Sequence, residues 1–347
     1  MTSAGKRQSH SKEWLFCIVL ALLLAACERQ SGPVQLAGAS MGTTWHVTYV
    51  APASGVDSAL VQAGIEERLE QVVLSMSTYR SDSEISRFNA APLNTWFAVT
   101  PEFHKVLSSA MAIGGYSGAA YDVTVGSLVD LWGFGPNMSQ QTPPAAEVIE
   151  ALLQQVGQQQ LRVNVETLSV MKLADVALDF SSIAKGFGVD QVADWLDSQG
   201  IARYLVEVGG EMRMSGLSHR GDAWHVAIEQ PDIAQRSVAA ALAVTDQAVA
   251  TSGDYRNFFE MDGRRYSHSI DPRSGWPVAH DLVSVTVIHP SAMMADAWAT
   301  ALLVLGTVDA MAVAQEQGLA VYLIRRKGTE YEHSHTPEFA PFLVVEQ

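Results

Sequence analysis

The chain has 347 residues, 48% hydrophobic and 17% charged, which is enough apolar mass for a large core and too little charge for a disordered chain. Lys plus Arg number 22 against 37 Asp plus Glu, a formal charge of −15, which disfavours general nucleic-acid binding but leaves room for a local or metal-bridged phosphate site. Two cysteines exclude a disulfide-rich scaffold and a four-cysteine zinc site.

The N-terminus reads as an address. Lys6, Arg7 and Lys12 precede an apolar run of 13 residues, Trp14 to Ala26, too short for a span of about 20 residues. A basic segment, an apolar segment and small residues make a secretory signal. Its end, Leu24-Ala-Ala-Cys27, resembles the lipobox of bacterial lipoproteins, in which the cysteine carries lipid and the signal is cut before it. The expected organisation is a signal over 1–26, a tether over 27–40 anchored at Cys27, and one catalytic domain over 41–347. An ordinary signal with a chance cysteine is the plainer alternative. Glu28 after the cysteine favours the periplasmic face of the inner membrane.

Trp45–Val50 alternates as a strand, and Val56–Met76 has helical spacing, with Ile65, Leu69, Val72, Val73 and Met76 on one face. Ser77-Thr-Tyr-Arg80 follows. Thr100 then caps a helix that has Pro101 at its first position and runs to about Ile113. Gly118-Ala-Ala-Tyr-Asp122 is turn-like, and Tyr79 and Tyr121 are of the kind that flanks a planar ring. The stretch 133–146 reads as loop and 147–156 as helix, with strands at 161–164, 168–172 and 176–179.

Asp179-Phe-Ser-Ser-Ile-Ala-Lys-Gly-Phe-Gly-Val-Asp190 leads into a helix over Ala184–Ser198. Free N–H groups at a helix start attract an anion. Lys185 in that first turn opposes the helix dipole and needs an anionic partner, for which a phosphate serves. A surface lysine with packing glycines is the plainer reading. Strands follow at 203–208, 211–215, 224–229, 238–244, 248–251, 257–261, 264–268 and 282–289. His268 closes one of them before a turn set by Asp271-Pro272 and Gly275, where it is placed to act as a base or a polar contact.

Ser291 caps an apolar helix to about Leu305, and Asp296 is its only charged residue, with Thr300 one turn on. A carboxylate there is costly unless paired or bound to a metal, and carboxylate, hydroxyl and carbonyl oxygens suit Mg²⁺. A helix over 307–317 and strands at 319–325 and 341–345 end the chain. Strands and helices mix without regular alternation, which argues an α+β fold with a largely antiparallel sheet.

Taken together, Ile183-Ala-Lys-Gly-Phe, Val208-Gly-Gly-Glu, Thr251-Ser-Gly-Asp-Tyr, Ser267-His-Ser-Ile-Asp-Pro-Arg-Ser-Gly and Ala295-Asp-Ala-Trp-Ala-Thr-Ala resemble, in order and spacing, the FAD:protein FMN transferase (ApbE-type) family from about Met41 to Leu323. The resemblance implies a single T-fold-like catalytic unit that uses Mg²⁺ to move FMN from FAD to a Thr or Ser hydroxyl of an acceptor flavoprotein, with AMP leaving. Acceptors would be subunits of membrane redox complexes, of the Na⁺-translocating NADH:quinone reductase or Rnf types. Met41, Tyr79, Ala120, Tyr121, Asp122 and Ile270 would line the FAD site, and Ser181 and Lys185 would approach its phosphates or adenylate part. Asp296, Thr300 and the Ala184 carbonyl would hold Mg²⁺, and His268 would lie near the reacting phosphate. Ser269 departs from the family's usual Ile, and Ser181 and Ser182 from its frequent Gly. An FAD diphosphatase and a non-catalytic flavin-binding lipoprotein are the alternatives.

Overall fold

A computed structural model describes residues 32–137, 142–232, 237–254 and 257–344. The signal, Cys27 and the tether up to Ser31 lie outside these residues. Among the described residues no helix is long and apolar enough to cross a membrane.

The first strand, β1 (Val34–Ser40), occupies part of the stretch expected as tether. Its composition is weak for a strand, but it pairs along its whole length with β2 (Thr43–Tyr49) through a two-residue turn. Met41 and Gly42 both have positive φ there, the geometry that matches strand twist. Next come α1 (Ser58–Met76), α2 (Glu84–Asn89), the short β3 (Phe97–Ala98) and α3 (Pro101–Tyr116). The Thr100 hydroxyl accepts from Phe103 N–H, so the expected cap and proline start are in place. Then follow α4 (Gly126–Leu131), α5 (Ala146–Leu153), β4 (Leu161–Asn164), β5 (Ser169–Lys172) and α6 (Ala184–Ser198). The expected strand at 176–179 is not formed; Ala177 makes one isolated bridge to Val125.

The second half holds β6 (Tyr204–Val208), β7 (Glu211–Ser215), β8 (Trp224–Glu229), β9 (Val238–Val244), β10 (Ala248–Gly253), β11 (Phe258–Met261), β12 (Arg264–Ser267) and β13 (Leu282–His289). It ends with α7 (Ala292–Leu305), α8 (Thr307–Glu316), β14 (Ala320–Lys327) and β15 (Glu330–His335). In place of a strand at 341–345 the chain makes a 3₁₀ turn over Pro337–Phe342, and Leu343 bridges Leu242.

Eight strands form one antiparallel sheet in the order β1-β2-β6-β7-β10-β13-β14-β15, within a compact unit that spans Val34–Gln347. The expected α+β class with antiparallel sheet is what the chain adopts. Alternation in β14 shows how the layers divide. Val321 and Leu323 pack with α3 and α7, whereas Ala320, Tyr322 and Ile324 pack under β8–β9 and Phe339. A central strand is covered on both faces, and β13 is buried from Leu282 to Ile288, its Ser284 and Thr286 included. A satellite core of Leu128, Trp132, Ile149, Phe259, Tyr266 and Ile270 supports the loops beside one end of the sheet.

Candidate active site

Helices α6 and α7 lie so close that a Cβ on Gly186 would stand 2.2 Å from the Ala292 carbonyl oxygen and 2.8 Å from Asp296 Cβ. Glycine at this one position lets the first turn of α6 meet Asp296 directly. Gly186 N–H donates to Asp296 Oδ2 at 2.9 Å. Asp296 thus supplies one anion at this helix start from within the protein. A second joint fixes the same two helices. Buried Asp190 on α6 accepts from Ala292 N–H, Met293 N–H and the Ser291 hydroxyl, and pairs with Arg213 at 3.0 Å. It thereby satisfies the orphan donors at the start of α7.

Lys185 projects from the first turn of α6 to Glu211 Oε1 at 2.6 Å, with Asp296 Oδ1 at 3.7 Å. Its close partner is thus a carboxylate on β7, where the sequence alone suggested a phosphate. The β6–β7 turn brings Glu211 there: Gly209 and Gly210 both have positive φ, and Gly209 leaves room for the lysine stem. Burial disfavours the Lys185 charge, but Asp296 and Glu211 outweigh it and hold the ammonium above its usual range. Burial raises Glu211 to about 7, with Lys185 pulling down and Asp296 adding to the rise.

These groups sit in a cleft of about 580 Å³ lined by Tyr79, Ala120, Tyr121, Asp122, Ser181, Lys185, Glu211, His268, Ile270, Asp296 and Thr300, among others. Twelve residues singled out from the sequence for binding or chemistry divide as follows. Tyr79, Ala120, Tyr121, Asp122, Ser181, Lys185, His268, Ile270, Asp296 and Thr300 come together there, whereas Met41 does not line the cleft. Met41 sits in the β1–β2 turn, and its sulfur packs against Gly188. The metal candidate Ala184 is likewise absent from the cleft wall; it is buried beside Lys185 at the start of α6.

Several of these residues have further partners. Tyr121 OH shares a hydrogen bond of 2.9 Å with the Ser182 hydroxyl, and burial pushes its pKa upward. The Asp122 carboxylate is occupied by Thr124 and Gln158, so it organises the loop beneath the cleft. Tyr79 is 63% exposed, at the edge of the cleft. His268 Nδ1 lies 3.0 Å from the Asn257 carbonyl oxygen. A carbonyl only accepts, so Nδ1 carries the hydrogen and Nε2 keeps its lone pair. Burial lowers the His268 pKa; the carbonyl contact opposes this and the Lys185 charge adds to it.

The donor set at Asp296 fits a hard divalent ion. One carboxylate oxygen is pinned by Gly186 N–H, the other is not so tied, and the Thr300 hydroxyl is one turn away on the same wall, 3.0 Å from the Ser252 hydroxyl. Among the described residues no group of three or more His, Cys, Asp or Glu is placed to hold a metal unaided.

Comparison with known proteins decides the family. A profile described as the ApbE family matches residues 41–323. The chain belongs to the ApbE family. The FAD:protein FMN transferase of Vibrio cholerae is 44% identical over 332 residues, covering 96% of this chain and 99% of the relative. Its counterpart in Escherichia coli K12 is 36% identical over 344 residues, covering 95% and 97%. Two solved ApbE structures superpose with a TM-score of 0.84. The flavin transferase of Vibrio cholerae is 43% identical, covering 90% of this chain and 99% of that one. The apo flavinyl transferase of Pseudomonas stutzeri is 36% identical, covering 91% and 98%.

Glu211 and Asp190 were not among the sequence candidates. Glu211 was visible only as the end of Val208-Gly-Gly-Glu, and nothing local tied it to Lys185, 26 positions earlier. Asp190 closed the quoted α6 motif, but the α7 donors it caps lie about a hundred residues on and Arg213 lies on β7.

Proposed function

We propose that this chain transfers FMN from FAD to a Thr or Ser hydroxyl of a partner flavoprotein, releasing AMP, as a single T-fold-like catalytic unit. The observation that carries this reading is the convergence of Lys185, His268, Asp296 and Thr300 on one cleft. The printed activity of the relatives agrees with it.

Asp296 and Thr300, with the Ala184 carbonyl, would hold Mg²⁺, which when bound offsets charge building on the leaving phosphate. Lys185 adds positive potential beside the diphosphate, so an acidic protein can hold a polyanion. Tyr79, Tyr121 and Ile270 bound the space for the nucleotide. The acceptor oxygen bonds to the FMN-side phosphorus as the bond from that phosphorus to the bridging oxygen breaks, and the bridging oxygen leaves with AMP. His268 Nε2 takes the hydroxyl proton, because its lone pair is kept free by the Asn257 carbonyl. Binding the long FAD molecule at several points aligns the phosphorus before attack. We place the protein at the periplasmic face of the inner membrane, anchored through Cys27. There it would serve subunits of membrane redox complexes of the Na⁺-translocating NADH:quinone reductase or Rnf type.

The test mixes FAD, Mg²⁺ and a Thr-containing acceptor domain with the protein. Intact-mass analysis should show FMN joined to the acceptor, and Asp296→Ala should abolish the adduct. Free FMN and AMP without an adduct would establish a diphosphatase instead.

A further inference from the structure

Oδ2 of Asp296 already accepts Gly186 N–H at 2.9 Å, which leaves Oδ1 as the oxygen that no backbone donor holds. Among the described residues, the cation paired with Oδ1 is the Lys185 ammonium, 3.7 Å away and outside hydrogen-bond length. What keeps it there is Glu211, whose Oε1 takes the ammonium at 2.6 Å. Glu211 is 3% exposed and stands on the first residue of β7, paired with Val208, so it has little freedom to follow the lysine. Its other oxygen, Oε2, is buried without a hydrogen-bond partner among the described residues. Lys185 is thus the ion-pair partner that the structure gives this carboxylate.

We propose that Glu211 is a positioning residue that holds the Lys185 ammonium off Asp296 and so keeps Asp296 Oδ1 open to the divalent cation. The inference rests on the cation reading above. Without Glu211, a shift of about 1 Å in a flexible lysine stem closes the gap to Asp296, and the two opposite charges then lock together in a partly dry site. The ammonium and the metal ion would compete for one oxygen. This gives the Glu211–Lys185 contact a purpose beyond stability: the lysine stays near the diphosphate without neutralising the metal's carboxylate.

The probe is Mn²⁺ alone, with affinity read by water-proton relaxation, so no turnover is needed. Glu211→Ala should weaken Mn²⁺ binding by about tenfold or more, since the freed ammonium is an intramolecular competitor. Adding Lys185→Met to that variant removes the competitor and should restore binding to within about threefold of the parent. Normal Mn²⁺ affinity in Glu211→Ala overturns the proposal. So does a double variant as weak as Glu211→Ala, the result expected if Glu211 ligated the ion itself through Oε2. If Glu211→Ala does not give a native circular dichroism spectrum, Glu211→Met, which keeps the side chain's bulk but removes both carboxylate oxygens, is read on the same criteria with and without Lys185→Met. A parent protein whose Mn²⁺ binding survives Asp296→Ala would overturn the cation reading, and this inference with it.

Discussion

Gly186→Ala tests whether the contact between α6 and α7 is as tight as the geometry says. The new methyl would lie 2.2 Å from a backbone oxygen and 2.6 Å from its carbon, where no side chain can rotate away. Non-bonded atoms settle at roughly 3.5 Å, so one helix must retreat by about 1 Å. Overpacking of this kind costs about 1–3 kcal/mol. The retreat also stretches the Gly186 N–H bond to Asp296, and a hydrogen bond to a charged group contributes about 1.5–3 kcal/mol. Alanine returns about 1 kcal/mol of helix propensity. The clash wins, for a net loss of about 2–4 kcal/mol. In a domain of this size that lowers Tm by roughly 3–6 °C, measurable by scanning fluorimetry with urea unfolding as a check. FMN transfer should fall with it, because Asp296 moves. An unchanged or raised Tm would show that propensity outweighs contact and that the helices are not in register as described.

Other outcomes follow from the same geometry. Asp190→Ala leaves three donors at the start of α7 without their acceptor and Arg213 without its buried partner; urea unfolding should show a loss of about 3–5 kcal/mol, and a loss below about 1 kcal/mol would refute the capping role. His268 should titrate below its ordinary 6.5 in an NMR pH series, with protonation detected at Cε1. The folded state takes that proton less readily than the unfolded chain does, so His268 subtracts stability as pH falls through 6.5 and has no effect well above it; a midpoint at or above 6.5 would contradict the buried, carbonyl-bound imidazole. Cys27→Ser should move the protein from the membrane fraction to the soluble periplasmic or unprocessed pool, and continued membrane attachment would count against lipidation.

What could be seen in the chain beforehand depended on how local the cause was. Asp296 stood out because a lone carboxylate in an apolar helix carries a cost that a reader can see without coordinates. The Thr100-Pro101 start and the Ser291 cap were equally plain, since capping needs only three residues. The partner of Lys185 was not legible. An ammonium at a helix start demands an anion, but only the sheet order brings β7 beside α6 and puts Glu211 within 2.6 Å of Lys185. β1 passed as tether because Ala37, Gly38 and Ala39 have little strand preference, and the Met41-Gly42 turn and pairing to β2 override that. β15, rich in Glu and His, was missed for a related reason: as an edge strand it needs no apolar face.

The Asp190 joint has a kinetic consequence. The amides of Ala292 and Met293 are closed by a carboxylate from another helix, so they can exchange their hydrogens for solvent deuterium only when α6 and α7 come apart. Frayed helix ends normally exchange fast. Here the leading turn of α7 is latched, and the oxygen atoms that α7 presents to the cleft inherit the slow opening of the whole pair.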